Sequence, residues 1–349
     1  MTMDAQRRAA IPLLRADQIA ALRAQVGARA AELARELRWL DTLDVQDVPA
    51  SPPPERIRVV VFNVERGSRF DGIVGLLRTH PELRAADVLL LNETDWGMAR
   101  SANRHVTREL AEALGLGYAF GIEFLELTKG EAAELDAPGE NSWSLHGNAI
   151  LSRWPLRHPH VVRLPLRCSW ALGLQARIGG RMAVVAELDT AVGPVSLACT
   201  HLENRTSPEG RRDQMRTVLD ALPPQQPAIV GGDLNTSTVD AGHDDQILWL
   251  LEQLQVDPLR LRDPEPHEPL FTDVRAAGFL IDELNPRQVP TNVPLGIQDP
   301  TYWPKLDWIF ARGVGVDPER RPPAVVTAEY RGLRVSDHDC VVAQVGVSS

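Results

Sequence analysis

Ten side chains able to ligate a cation, move a proton or hold an oxyanion stand at the ends of apolar runs: Asn63, Glu65, Glu93, Asn148, His201, Asp233, Asn235, Asp307, Asp337 and His338. Taken singly, each Asn or Asp reads as a turn residue bonded to its own backbone. Taken together they read differently, because several strand ends carrying unpaired acids and imidazoles are costly if they converge without a cation or substrate. Hard oxygen donors with few imidazoles and no thiolate suit Mg²⁺ or Mn²⁺ rather than zinc, and Mg²⁺ keeps waters for phosphate oxygens. A His beside an Asp, as in His338 and Asp337, is the usual pairing for general acid–base work. The three cysteines, Cys168, Cys199 and Cys340, have no metal-ligand spacing and cannot form a disulfide framework.

Elements must bring these residues together. "IRVVVFNV", "DVLLLNET", "HGNAILSRWP", "RMAVVAELDT", "PVSLACTHLE", "PAIVGGDLNT", "KLDWIFARG" and "DCVVAQVGV" are short runs rich in Val, Ile and Leu, each read as a strand with a buried face. Helical patterns are expected over 15–43, 72–80, 103–114, 208–222 and 243–254. Adjacent hairpin-like runs argue against a purely parallel sheet. The expected fold is α/β (α+β), a four-layer sandwich of two packed mixed sheets flanked by helices. An N-terminal helical extension (1–46) and the Pro-rich linker "DVPASPPPER" (47–56) precede a catalytic domain over 57–347. The apolar stripe Ile19, Leu22, Val26, Ala30, Leu33, Leu37 and Leu40 either docks on the chain's own body or joins a second copy. A Pro-rich insertion over 241–304 is long enough to be functional or mobile.

The ordered motifs "FNVERG", "LNET", "HGNAILSRWP", "THLE", "GGDLNT", "KLDWIF" and "VSDHDCV" resemble those of the endonuclease/exonuclease/phosphatase superfamily, which holds apurinic endonucleases, deoxyribonucleases, neutral sphingomyelinases and inositol polyphosphate phosphatases. The resemblance covers about 57–347. It implies metal ligation by Glu93, with Asn63, Glu65 and Asp337 completing or supplementing the site. It implies that Asp233 positions or deprotonates the attacking water, that Asn235 holds a phosphate oxygen, and that Asp307 holds the tautomer of His338. His201 would donate to a phosphate oxygen or assist the leaving group, and Asn148 would stand on the substrate side. The implied activity is Mg²⁺-dependent hydrolysis of a phosphodiester, nuclease-like. The alternatives are a phosphatase or phospholipase C-like hydrolase of a phospholipid or an inositol or sugar phosphate, and a non-catalytic binding protein on the same fold. A degenerate binder should lack one of Glu93, Asp233, Asn235, Asp307 or His338, and none is missing.

Other residues divide between roles. His146 reads as a substrate contact or a turn residue. Arg100, with Asn103 and Arg104, either grips a phosphate or forms the solvated face and cap of the 103–114 helix. Trp303 is the best rim aromatic for stacking, and Asp339 is expected to face solvent. The net charge of −10 lacks the general basic footprint of nucleic-acid binders; the partner the resemblance implies is a phosphate ester, with nucleic acid among the candidates. No apolar run of about 18 residues spans a bilayer. The start of the chain has no signal-like h-region, so a cytoplasmic location is expected.

Overall fold

The computed structural model describes residues 11–241, 245–316 and 321–347. Its larger sheet contains β1 (Leu43–Gln46), β2 (Arg56–Arg66), β3 (Val88–Trp96), β4 (Gly117–Glu126), β5 (Leu145–Ser152) and β16 (Cys340–Gly346). They run in the order β1-β4-β5-β3-β2-β16, followed by the short β12 (Gly315–Val316), while β7 (Arg177–Gly179) pairs with β4 and β13 (Ala324–Val326) with β16. The smaller sheet runs β11 (Asp307–Arg312), β10 (Ala228–Asp233), β9 (Gly193–His201), β8 (Met182–Thr190), β6 (Leu156–Arg163). β14 (Glu329–Tyr330) and β15 (Leu333–Arg334) form a separate two-stranded ribbon. Both larger sheets are mixed: β2 lies parallel to β3 but antiparallel to β16, and β10 lies parallel to β9 but antiparallel to β11.

Side-chain alternation explains why "VVVF" is apolar throughout. Val59 and Val61 point inward, meeting Val184, Leu197, Cys199 and Ile309 of the other sheet. Val60 and Phe62 point outward, under Ile73 and Leu77 of α2 (Phe70–Thr79) and Leu110 of α3 (Val106–Leu114). The smaller sheet is likewise covered on its outer face, where Val230 and Phe310 pack against Met215 and Val218 of α4 (Pro208–Asp220). Strands buried on both faces read as continuous hydrophobic runs. The result is helix, sheet, sheet, helix.

The expected helix over 15–43 stops earlier. α1 spans Ala16–Glu36, a single 3₁₀ turn follows, and Leu43–Gln46 become the edge strand β1, paired with β4. The period of the sequence changes there from helical to alternating: Leu43 and Val45 enter the inner core while Asp44, on the other face, accepts from the Tyr118 hydroxyl at 2.6 Å. The α1 stripe docks within the chain, with Val26 and Leu33 buried in the outer cluster and Ile19 and Leu22 packed against it. That face therefore packs on the chain's own body. Residues 1–10 of the expected extension lie outside the described residues. The helix expected from 243 runs Gln246–Val256, preceded by 242–244, which are also outside them. No described helix is long and apolar enough to cross a membrane.

Candidate active site

Strand pairing alone brings three of the expected residues side by side. Asp233 is in register with His201 on one side and with Asp307 on the other. β16 runs antiparallel to β2, so the turn before it, holding Asp337 and His338, returns to the end of β2 near Asn63. Ser336 fixes this return: its hydroxyl donates to the Asn63 carbonyl at 2.7 Å and accepts from the His338 N–H at 3.1 Å. Glu65 and Glu93 sit where the register of the sheet slips, between Asn63 and Arg66 and between Leu91 and Thr94. Both have positive φ, 44° and 58°, and Asn235 has φ of 50°. Bulges with strained backbone re-aim side chains beside functional sites. Gly232 is required for the same approach, since at φ of 144° an added Cβ would lie 1.8 Å from the Thr200 carbonyl oxygen.

The side chains form a relay. Asp307 Oδ2 lies 2.8 Å from His338 Nδ1, which turns the Nε2 of that ring toward Asp233 Oδ2 at 3.6 Å. His201 Nε2 is 3.4 Å from the same oxygen, and Asn63 Nδ2 donates to it at 3.0 Å. Asn235 donates its N–H to Asp233 Oδ1 at 3.0 Å and its side-chain amide to the Leu202 carbonyl at 2.9 Å. Burial, reinforced by Asp307 and opposed by His338, pushes the Asp233 carboxyl up to about 7. Burial opposes the charge of His338, but Asp307 and Asp233 overcome it and hold the imidazole well above its usual value. Burial and then Arg181 push His201 well below its own.

The opposite flank is built from buried ion pairs. Asp95 Oδ1 lies 2.8 Å from His146 Nδ1, and Arg100 grips Asp95 with Nε and Nη2 at 2.8 and 2.9 Å. Arg181 Nη1 donates to Glu123 at 3.1 Å, and Glu123 Oε2 stands 3.8 Å from His201 Nδ1. Burial lifts the Glu93 carboxyl, yet Arg66, His146, His201 and His338 outweigh it and hold the group well below its usual range. Arg100 corrects both sequence readings. Its side chain is 2 % exposed and bound to carboxylates, so it neither faces solvent nor offers a free guanidinium to substrate. Asn148 is fully buried, accepting from Asn92, rather than lying at the substrate side. Asp339 is buried as well and does not face solvent: it accepts from the Ala328 N–H and from Arg334, both at 2.8 Å.

Asn92 was not among the expected residues. Its side chain donates to Asn148 and to the Thr200 carbonyl, both at 3.0 Å, and accepts from the Asp233 N–H at 2.8 Å, tying the sheets together beneath the site. Asp95, Glu123, Arg66 and Arg181 were missed too. Asn92 lies within the "LNET" motif and Asp95 directly follows it, so their place beside Glu93 was a usable signal.

A divalent cation fits this crevice. Burial and then repulsion from Asp337 raise the Glu65 carboxyl, although Arg69 lies 2.7 Å away. Asp307 Oδ1 is buried with no hydrogen-bond partner among the described residues. Ligand atoms of Asp233, Asp307 and His338 lie within 4.8 Å of one another, the one such acidic–imidazole group among the described residues. Because His338 Nδ1 and Asp307 Oδ2 already bind each other and the imidazole holds its proton, a cation at that trio would be met by carboxylate oxygens, Asp307 Oδ1 among them. An oxygen-dominated donor set favours a hard ion.

Two mixed sheets back to back with carboxylates, amides and imidazoles at one strand-end edge define a metal-dependent phosphoesterase class in general terms. The profile of the endonuclease/exonuclease/phosphatase family matches residues 60–338, and the chain belongs to that family. Solved structures share its fold. An endonuclease/exonuclease/phosphatase from Beutenbergia cavernae is 20% identical with a TM-score of 0.54, over 84% of this chain and 72% of its own. The human Nocturnin catalytic domain with bound sulfate is 18% identical at 0.52, over 87% and 96%. An AP endonuclease from Archaeoglobus fulgidus is 14% identical at 0.51, over 84% and 100%. No curated protein matches the chain significantly.

Proposed function

We propose that this protein hydrolyses a phosphodiester by in-line attack of water, in a crevice that requires Mg²⁺ or Mn²⁺. The observation that carries the reading is the relay in which Asp307 fixes His338 at 2.8 Å and aims its Nε2 toward Asp233, beside His201. Asp233, whose carboxyl is raised to about 7, is suited to orient the attacking water and take up its proton. Asn235 holds Asp233 in place by its backbone N–H, and the second N–H of its amide, the first being bound to the Leu202 carbonyl, would hold a phosphate oxygen. His338, protonated against Asp307, stabilises charge that grows on the phosphate oxygens, and His201 serves the leaving oxygen. Glu93, Asn63, Glu65 and Asp337 would hold the metal, which when bound neutralises phosphate charge. His146 and Arg100 act from beneath by fixing Asp95 next to Glu93, and Asn148 acts by fixing Asn92.

The phospholipase C-like alternative has one observation in its favour. A cavity of about 440 Å³ contains Glu65 and Asp337 together with an apolar wall of Val293, Leu295, Ile297 and Trp303. Leu295 is fully exposed on that wall. An apolar substituent on the phosphate would find contact there.

The test is hydrolysis of bis-p-nitrophenyl phosphate, followed by a panel of plasmid, single-stranded DNA, RNA, abasic duplex, sphingomyelin and inositol phosphates. Excess EDTA should abolish turnover and Mg²⁺ or Mn²⁺ restore it. Turnover that survives chelation would refute the metal requirement. Preference for sphingomyelin over every nucleic acid would favour the second reading.

A further inference from the structure

A second polar pocket lies near the start of the strand that delivers Asp307 to the crevice. Neighbouring residues of β11 point to opposite faces, so Asp307 reaches His338 while Trp308 packs with Phe271 on the outer side. There a cavity of about 320 Å³ is lined by Arg262, Asp263, Glu265, Arg287, Lys305 and Trp308, among others, and by none of the expected catalytic or metal-binding residues.

Lys305 is one of only two lysines in the chain, the other being Lys129. It is 3 % exposed, donates one hydrogen bond to the Pro286 carbonyl at 2.7 Å and lies 4.0 Å from the Trp308 ring centre. An ammonium carries three donors. Two of them have no acceptor among the described residues, and no carboxylate there forms an ion pair with it. Of the acids around the cavity, two are paired with an arginine and the third is bonded to a neutral amide. Arg275 binds Glu265 and Asp282 at 2.7 and 3.1 Å, and Gln288 donates to Asp263 at 3.3 Å. Cationic donors are left over instead: Lys305, the exposed Arg287, and the buried Nε of Arg262, which has no partner among the described residues although its Nη2 donates to the Pro300 carbonyl. Glu265, Asp263 and Asp282 act on the Lys305 ammonium only from beyond ion-pair distance, and a buried cation with no bonded counter-ion is costly, so the arrangement calls for an anion.

We propose that this pocket binds a small oxyanion, inorganic phosphate or a small carboxylate, at a site separate from the catalytic crevice. Lys305 donates from the floor, and Arg262 and Arg287 close on the anion from the rim. The inference rests on the pocket alone and does not depend on turnover.

Equilibrium dialysis of the full chain with radiolabelled inorganic phosphate in EDTA tests it. Wild type should bind saturably, Lys305→Met and the surface variant Arg287→Met should each weaken binding, the former by about 10-fold or more, and Lys305→Arg should restore most of it. His338→Ala should bind as wild type does. Phosphate should also slow acetylation of Lys305 by acetic anhydride, read by mass spectrometry, while leaving Lys129 as an internal control. Competition by acetate and by succinate then distinguishes a phosphate from a carboxylate preference, either of which supports the site. No binding by wild type, equal binding by Lys305→Met and Arg287→Met, or loss confined to His338→Ala would overturn it.

Discussion

On one flank of the crevice Asp307, His338, Asp233 and Asn63 meet through contacts between adjoining strand ends. On the other, Arg100, Asp95, His146, Arg181 and Glu123 meet through ion pairs buried among β3, β4, β5 and the segment after β7. Both flanks back an imidazole with a carboxylate at 2.8 Å, yet only the second carries arginine behind the carboxylate. In the relay, Asp233 and His338 hold opposed charges whose balance turns on one proton, which suits chemistry. In the clamp, permanent guanidinium charge leaves Asp95 no proton to exchange, which suits rigidity. The comparison teaches that one edge of a sandwich can separate reacting groups from the groups that hold them.

The largest expected effect breaks the clamp. Arg100→Ala leaves Asp95 buried without its guanidinium partner and Glu126 with Arg177 alone, and should cost about 3–5 kcal/mol of stability, measured by urea denaturation. A loss under about 1 kcal/mol would place Arg100 with surface ion pairs. The relay should respond the other way. His338→Ala should lower kcat by about 10²- to 10³-fold with little change in the denaturation midpoint, and undiminished turnover would remove His338 from the reaction. Gly232→Ala probes the seam between the flanks, where a Cβ would collide with the Thr200 carbonyl; about 1–3 kcal/mol of destabilisation is expected from the strained backbone.

The smallest effect is a pH dependence. His201 has a folded value well below its ordinary 6.5, from burial and then Arg181, so the unfolded chain takes up a proton that the folded chain refuses. Stability from this group is therefore intact above pH 6.5 and falls as pH drops, by about 1.4 kcal/mol per unit at most. In metal-free protein, His201→Gln should flatten that acid-side loss. An unchanged slope would assign the loss to other groups.

The relay was legible because its residues end apolar runs and lie in short motifs: "GGDLNT" holds both Asp233 and Asn235, and "VSDHDCV" holds both Asp337 and His338. The clamp was not. β4, "GYAFGIEFLE", is fully buried, but Gly117 and Gly121 and two glutamates break the Val/Ile/Leu pattern that marked the other strands. Its Glu123 and Glu126 find their arginines only after folding, 58 positions away for Arg181 and 26 for Arg100. Gly121 is tied to packing, since an added Cβ would come within 2.8 Å of Met182 of the facing sheet. Arg100 misled for a related reason: an arginine shortly before a helix looks solvated unless its buried acceptors are known. The end of α1 was misplaced because Leu37 and Leu40 continue the helical spacing into a segment whose alternating residues prefer the sheet edge.

Anomalous diffraction from crystals soaked in Mn²⁺ tests the convergence of these residues on one ion most directly. The expected result is a peak in the crevice within coordination distance of Glu93, facing Asp233 and His338. Full Mn²⁺ occupancy elsewhere, with Glu93 turned away and the crevice empty, would contradict it.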